Sequence, residues 1–438
     1  MIPTAASELL LDRYELTMAD SYLAQGIEGD PAAFELFVRR LPHDRGYLVA
    51  AGLEGALAYL EELRFTPRAL DYVRSAGICS DRLCSYLADF RFTGDVDAVP
   101  EGTVVDAGEP LVRVEGPRLA AQIVESYLLT WINFQTLIAT KASRVVDAAR
   151  GAPVVDFGFR RAHGPQAGLL AARAAYIGGV EATATVAAGE LWGIPTTGTM
   201  AHSYVLSFST ELEAFCAFLR DQPGNATLLI DTYDTLDGAR AAVEASHLTG
   251  VVPQAVRLDS GDVALLGPEV RAILDEGGLA GSGIVCSGDL DEHRIAALVA
   301  ADVPITGFGV GTELVTSGDA PALGGVYKLV ESDGRPVMKR AAEKSTLPGR
   351  HQVWRDDDGR DTIGLVDDAL PGRPLLEPVM RAGRRLGAPP SLDEIRRRRA
   401  AEVAALPGDR RALAAPTLVP VGLSPRLSSL KESLDVPA

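Results

Sequence analysis

Cysteine is scarce in this chain. Four occur in 438 residues, at positions 79, 84, 216 and 286, and no C-x-x-C is among them. That excludes a disulfide framework, argues against a zinc or dithiol redox motif, and fits idle thiols in a reducing cytosol. Long apolar runs are missing too; none approaches the ~20 residues that span a bilayer. The N-terminal stretch carries Glu8, Asp12 and Glu15 in place of a basic segment, so a secretory leader is not expected. No G-x-G-x-x-G follows a first apolar run, which removes the usual mark of a dinucleotide-binding fold. Positive charge is the last deficit: 42 Lys and Arg stand against 59 Asp and Glu, a formal net charge of -17. An acidic surface repels nucleic acid and anionic membrane, so neither is an expected partner. A site for an anionic ligand must therefore be made locally basic by particular arginines or lysines.

What is present reads as an ordinary globular chain, 47% hydrophobic and 23% charged, long enough for two or three domains. Its middle repeats one pattern: a short apolar run, then polar and glycine residues, then an amphipathic stretch. The runs are 152–159, 193–200, 226–233, 253–260, 283–290 and 304–312. Alternation of this kind indicates βαβ units and a parallel sheet, and six units favour a (β/α) barrel over an open sheet. Polar residues recur just after the runs: Arg160, His202, Asp231, Asp259, Asp289 and Thr312. In such a barrel the active site is built at that face from the loops after the strands. Helix capping accounts for any one of these residues; six converging on one rim call for a site.

The ends of the chain read differently. Residues 47–65 form an amphipathic stretch, and 99–117 alternate apolar residues with Gly and Pro turns, a hairpin-rich β segment. Ser391 and Glu394 make a capping box before a helix whose arginines 396–399 are expected to spread around it and be solvated. The expected division is an N-terminal α/β domain over 1–125, the barrel over 126–345, and a C-terminal segment over 346–438 packing with the first.

Several residues carry chemistry by type and place. Gly309, Gly311 and Thr312, in GFGVGT, suit a phosphate cradle, because glycine lets backbone N–H groups approach an anion. Ser287, Gly288 and Asp289 could extend it; a tight βα turn needing glycine is the competing account of the GVGT motif. Arg160 and Arg257 follow strands and could hold a carboxylate or pyrophosphate in a bidentate fork. A structural pairing with Asp156 or Asp259 competes. Phe157 reads as core or as a flat surface for a ring. His202 follows GTMA, small residues that leave room for a ligand. Lys141 and Arg144, on an expected helix, could edge a phosphate site.

The ordered set DRYELTMADSYL, FELFVRRLPHDRGYLVAAGLE, DFGFRRAHGP, TTGTMAHSYV, VRLDSGD, GFGVGTELVTSGDAPALGGVYKLV and TLVPVGLSPRLSSLKESL resembles the nicotinate phosphoribosyltransferase family over nearly the whole chain. The resemblance implies a type II phosphoribosyltransferase: an incomplete (β/α) barrel beside a smaller α/β domain, working as a homodimer with shared active sites in the cytoplasm. It implies transfer of ribose 5-phosphate from PRPP to nicotinate, with release of pyrophosphate, in NAD biosynthesis. ATP would be a co-substrate and Mg²⁺ would accompany the pyrophosphate, without a protein cage. By the same resemblance His202 accepts the γ-phosphoryl of ATP. Asp231, or failing it Asp234, would orient the imidazole. Tyr14 from the second subunit and Phe157 would sandwich the pyridine, and Thr199 would contact it. Arg257 would hold nicotinate or the ribose phosphate, and Arg160 would face phosphates. Asp259 would serve the ribose hydroxyls or magnesium, and Thr312 with its glycines would bind the 5-phosphate.

The position where nicotinamide enzymes place an acid corresponds to Ala184, with Glu181 the nearest carboxylate; this favours the acid over the amide, although nicotinate enzymes more often carry Ser or Thr there. A cysteine-rich zinc segment found near the C-terminus of some relatives is absent, so no structural metal is expected. The competing readings are a nicotinamide or quinolinate phosphoribosyltransferase, or a barrel that binds metabolites without turning them over. An aldolase-like barrel is disfavoured, because none of the six strand ends carries a lysine.

Overall fold

The computed structural model describes residues 7–341 and 344–435; positions 1–6 of the stretch judged not to be a leader lie outside them. The chain divides into two units. One is Lys141–Pro321, and the other combines the chain ends, Met1–Thr140 and Ala322–Ala438. The barrel segment expected over 126–345 is therefore wider than the unit found. The unit of chain ends holds more residues than the barrel unit.

The 141–321 unit is built on a six-stranded sheet. Its strand order is Ala182–Thr183, Val154–Asp156, Gly307–Val310, Gly283–Cys286, Ala255–Leu258, Thr227–Leu229, and every neighbouring pair is parallel. The two outer strands are not paired with each other, so the sheet is a curled half-barrel. Parallel strands are covered on both faces, which suits these short, mostly apolar runs. Leu228, Ile230, Val256, Leu258 and Ile284 are fully buried against Ala239, Ala242, Val270 and Leu274 of the helices.

Five of the six expected runs contain a strand. The run at 193–200 does not. Gly193 adopts φ 69 and ends the Val186–Trp192 helix, and Pro195 has no N–H to give to a ladder. The run's backbone joins the sheet only through an isolated bridge of Thr196 to Thr183, made by the Pro195 carbonyl and the Thr197 N–H. The strand of that unit is the preceding Ala182–Thr183.

Helix capping is accounted for by other residues than the strand-end set. Asp234, Asp262 and Asp291 are the N-caps of the helices Thr235–Thr249, Val263–Glu276 and Glu292–Ala300, and each accepts backbone N–H groups of its first turn. Asp231, Asp259 and Asp289 lie two or three residues earlier and cap nothing. Asp234, held as the alternative orienting group for His202, is committed to its helix.

The unit of chain ends carries a seven-stranded antiparallel sheet. Its order is Arg335–Pro336, Gly325–Ser332, Pro31–Val38, Pro110–Pro117, Asp95–Ala98, Glu377–Arg381, Arg384–Arg385. The 99–117 segment supplies Val104–Val105 and Pro110–Pro117, and the 47–65 stretch supplies the helix Leu53–Glu62. The helix Leu392–Ala405 starts with the Ser391–Glu394 capping box. Its arginines are not all solvated. Arg399 is buried, and Arg398 donates to the Glu101 carbonyl at 2.6 Å. The helix lies close on Gly102, where a Cβ would come 2.4 Å from the Ile395 carbonyl oxygen, so this side excludes water.

Three buried carboxylates meet in this unit, Asp106, Glu109 and Asp361, with oxygens within 4.8 Å of one another. Arg410 lies 2.6 Å from Asp106, and Arg355 grips Asp361 with two bonds of 2.8 and 2.5 Å. Glu109 has no arginine of its own. Burial first, then the charge of Asp361, pushes its carboxyl well above the ordinary range, so it is held neutral. For an acid raised in this way, the stabilising contribution is complete below the unfolded carboxylate pKa of about 4.3 and is lost as pH rises toward the folded value. Urea midpoints measured between about pH 5 and pH 9 should fall with pH, and Glu109→Gln should flatten the decline. Parallel curves for the two proteins would show that Glu109 does not set it.

Candidate active site

A parallel sheet sends every strand's C-terminal end to one edge, and this brings the strand-end residues of the 141–321 unit together. Asp156 ends the first strand and is buried. Its Oδ1 accepts from the Gly158 N–H and its Oδ2 from the Thr183 hydroxyl, both at 2.7 Å. Burial pushes its carboxyl up despite those two bonds. Asp156 is thus a turn brace and not a partner for arginine. Arg160 and Arg161, in the exposed turn Phe159–Arg161, pair with no carboxylate among the described residues. Two unneutralised guanidiniums at the rim of an acidic protein form the local basic surface that an anion requires.

Arg257, on the strand Ala255–Leu258, is the most enclosed cation of the rim. Its Nη1 donates to the Thr199 hydroxyl at 2.5 Å. Its Nη2 lies 3.6 Å from Asp259, and its Nε is buried without a hydrogen-bond partner. The guanidinium stands 5.9 Å from the centroid of the Phe157 ring, within cation–π range. Burial moves its pKa down, Asp259 and Asp231 pull it back up, and Arg160 adds repulsion; arginine stays charged regardless. The competing pairing with Asp259 is present but long, leaving donor capacity for a ligand carboxylate.

The carboxylates form their own network. Asp231 Oδ2 accepts from the Asp259 N–H at 2.9 Å and the Ser260 hydroxyl at 2.6 Å, while its Oδ1 is buried without a partner. Asp259 Oδ1 accepts from the Ser287 hydroxyl at 2.5 Å. The expected pairing of Asp231 with His202 is not found. His202 opens the short helix His202–Val205, and its Nδ1 lies 3.1 Å from the Thr232 hydroxyl. Asp231 is turned instead to the loop after the neighbouring strand.

The glycines separate into two kinds. Gly309 is an inner strand residue at which a Cβ would come 2.4 Å from the Phe157 ring. Its bareness makes room for that aromatic, and a role in an anion cradle does not fit. Gly288 adopts φ 89, and a Cβ there would lie 1.9 Å from the Asp259 carbonyl oxygen; with Asp289 at φ 49 the turn itself demands these residues. The Asp289 carbonyl accepts from Arg294 at 2.7 Å. Gly311 has only ordinary contacts and precedes the helical turn Thr312–Thr316, with Thr312 exposed. Backbone N–H groups at such a turn remain open to an anion.

Lys141 and Arg144 are both buried. Lys141 Nζ lies 2.5 Å from Glu292 and 2.8 Å from Asp319, and Arg144 Nε lies 2.9 Å from Glu292. Burial would raise the Glu292 carboxyl, but Lys141 and Arg144 hold it below its usual value. This internal ion cluster replaces the expected phosphate edge. Tyr14 belongs to the other unit, on the helix Arg13–Gln25, with its side chain 42% exposed. Sequence reasoning missed Thr232, Ser260 and Glu292. Thr232 had a signal, since it directly follows a strand-end aspartate.

Comparison with known proteins adds an independent line. The family model described as nicotinate phosphoribosyltransferase (NAPRTase) N-terminal domain matches residues 9–133, and the one described as nicotinate phosphoribosyltransferase C-terminal domain matches 368–431. A nicotinate phosphoribosyltransferase of Mycobacterium tuberculosis is 47% identical over 412 residues, covering 92% of this chain and 89% of that protein. The human enzyme of that name is 31% identical over 522 residues, covering 98% and 97%. The crystal structure of human nicotinic acid phosphoribosyltransferase superposes with a TM-score of 0.86 at 29% identity, covering 98% of this chain and all of that one (100%). A structure described as nicotinate-nucleotide pyrophosphorylase of Pyrococcus furiosus gives 0.77 at 27% identity, covering 92% and 98%. The contact of Gly309 with Phe157 can be tested directly. Gly309→Ala is expected to lose roughly 1–3 kcal/mol of stability by forcing that ring aside. An unchanged denaturation midpoint would show that the ring yields freely.

Proposed function

The chain belongs to the nicotinate phosphoribosyltransferase family, and from that premise we propose that it joins nicotinate to the ribose 5-phosphate of PRPP, releasing pyrophosphate, with coupling to ATP. The observation that carries this reading is Arg257, a half-paired guanidinium beside the Phe157 ring and bonded to Thr199. A flat apolar surface next to a cation with spare donors suits an aromatic ring bearing a carboxylate.

The reaction forms a bond from the pyridine nitrogen to C1 of the ribose and breaks the bond from C1 to pyrophosphate. Its transition state has oxocarbenium character, as in glycosyl transfer, so no protein nucleophile is needed at that step. Positioning and charge supply the catalysis. Phe157 and Tyr14, the latter offered by a second copy of the chain, sandwich the pyridine. Arg257 holds its carboxylate, and Thr199 fixes the guanidinium. Arg160 faces the leaving pyrophosphate. The turn at Gly311 and Thr312 receives the 5-phosphate. Asp259, braced by Ser287, serves the ribose hydroxyls. A magnesium ion bound with the pyrophosphate would neutralise part of its charge, and Asp231, with one buried oxygen unpartnered, is the carboxylate that would hold it.

ATP would transfer its γ-phosphoryl to a ring nitrogen of His202, breaking the bond to ADP, and later hydrolysis of the phosphohistidine favours the product side. The Thr232 hydroxyl orients the imidazole. Ala184 presents only a methyl group, and Glu181 precedes the short strand that Ala184 follows. An acceptor for a carboxamide is thus lacking there, which favours nicotinate over nicotinamide. Four free, buried cysteines suit the cytoplasm, and no helix of the described residues is long and apolar enough to cross a membrane.

Product formation from PRPP with nicotinate, nicotinamide or quinolinate, each with and without ATP, tests this reading. Nicotinate mononucleotide from nicotinate alone, stimulated by ATP, is expected. Turnover of quinolinate in its place would reassign the substrate, and ligand binding without turnover would mark a non-catalytic barrel. His202→Ala should abolish ATP hydrolysis and ATP stimulation while slow ATP-independent transfer persists. Full stimulation in that variant would exclude the phosphohistidine.

A further inference from the structure

Two neighbouring strands of the parallel sheet, Gly283–Cys286 and Gly307–Val310, each lead into a turn at the rim. Their ladder pairs Val285 with Gly307 and Cys286 with Phe308 and stops there. Beyond that point Gly309 and Val310 are paired with Val155 and Asp156 on the other side. The ladder therefore does not fix the distance between the turn Ser287–Asp289 and the turn that opens at Gly311.

A buried ammonium joins the segments that follow these turns. Lys141, on the helix Glu125–Ala148, is 1% exposed. Its Nζ lies 2.5 Å from Glu292 Oε2 and donates to Asp319 Oδ1 at 2.8 Å. Glu292 comes after the first turn and Asp319 after the second. Each is bonded back to its turn. Glu292 begins the helix Glu292–Ala300, and Arg294 of that helix donates to the Asp289 carbonyl at 2.7 Å. On the other side, the Val315 N–H donates to the Gly311 carbonyl at 3.1 Å, the Gly318 N–H to the Glu313 carbonyl at 3.3 Å and the Ala320 N–H to the Ser317 carbonyl at 2.7 Å. Glu292 is fully buried and also holds Arg144, while the Asp319 side chain is 36% exposed. A buried ammonium cannot give up such partners without loss, so it holds the two carboxylates, and the turns behind them, at a set separation.

We propose that Lys141 is a positioning residue: by binding Glu292 and Asp319 together it sets the spacing of the two turns to suit a ribose 5-phosphate. This rests on the reading that Asp259, braced by Ser287, serves the ribose hydroxyls and that the turn at Gly311 and Thr312 receives the 5-phosphate. Lys141 itself touches no substrate. Spacing fixed before the ligand arrives lowers the ordering cost of binding, and it does so for the ribose 5-phosphate end alone.

Equilibrium titrations and steady-state kinetics on the full-length protein test it, with ribose 5-phosphate as the probe of both turns and pyrophosphate as the control. Asp319→Ala is expected to raise the Kd of ribose 5-phosphate and the KM for PRPP about tenfold, the scale of one bond between charged groups. The Kd of pyrophosphate, the KM for nicotinate and kcat are expected to stay nearly unchanged. Asp319→Asn should recover most of the affinity, because its amide oxygen still accepts from an ammonium. Lys141→Met should reproduce the rise, and Asp319→Ala should add little in the Lys141→Met background. Should Lys141→Met fail to fold, the two Asp319 variants carry the comparison, since that side chain is the end of the bridge nearer solvent. An unchanged Kd of ribose 5-phosphate in Asp319→Ala would overturn the proposal. So would equal losses for pyrophosphate and nicotinate, the mark of a purely structural role. Failure of the unaltered protein to bind ribose 5-phosphate would remove the reading of the two turns, and the proposal with it.

Discussion

The half-satisfied charge of Arg257 is the constraint around which the rim of the parallel sheet is arranged. A guanidinium this enclosed costs desolvation energy unless it is paired. Yet Asp259 stands at 3.6 Å, Thr199 takes one donor, and the Nε takes none. Asp259 is kept at that length because its Oδ1 is shared with Ser287 and its backbone N–H is held by Asp231. Asp231 in turn is kept off His202, which finds Thr232 instead. A chain of short polar contacts thus leaves one cation incompletely neutralised, and the pair Arg160 and Arg161 extends that positive surface. In a chain of net charge -17, such a spot concentrates anionic substrates where the rest of the surface repels them.

Much of this was legible before the fold was known. The alternation of short apolar runs with amphipathic stretches marks a parallel sheet, and five of six runs contain the strand they imply. The exception at 193–200 shows where composition misleads. Its glycines and threonines resemble the other strand ends, but Gly193 and Pro195 are local breakers whose effect outweighs the apolar count. The strand-end chemistry was legible as a set because it follows from topology: parallel strands put the same sequence position of each unit on one rim. Side-chain pairing was not. Whether Asp231 or Thr232 faces an imidazole depends on strand twist and on what the next loop demands. Both residues lie in the loop after the strand Thr227–Leu229, where the regular alternation of a strand no longer sets direction, so a one-residue choice cannot be made from spacing.

Glycine shows the same limit in another form. Gly309 and Gly311 are two residues apart and look alike in GFGVGT. One is inner strand, bare because an aromatic ring occupies the space a Cβ would need. The other precedes the helical turn Thr312–Thr316, with no side chain capping it. A motif states that glycine is present, and only the neighbours state why. Lys141 and Arg144 follow the same logic. Their type suggested phosphate, but buried cations require compensation, and Glu292 with Asp319 supplies it internally.

An acid and an amide make different demands on what the rim offers. A carboxamide needs an acceptor for its NH₂ as well as a donor for its oxygen, and leaving either unmet in an enclosed site costs about 1–3 kcal/mol. The Ala184 side chain contributes no acceptor, and its N–H is spent on the Asp156 carbonyl at 2.8 Å. Asp156, the buried carboxylate nearest in sequence to Phe157, already has each of its oxygens bonded within the turn. Beside the Phe157 ring, Arg257 keeps spare N–H groups. A ligand that brings two acceptors matches those N–H groups. The turn at Asp156 and Thr183 spends both oxygens of the Asp156 carboxylate on its own shape, so that carboxylate is not left to accept from a ligand.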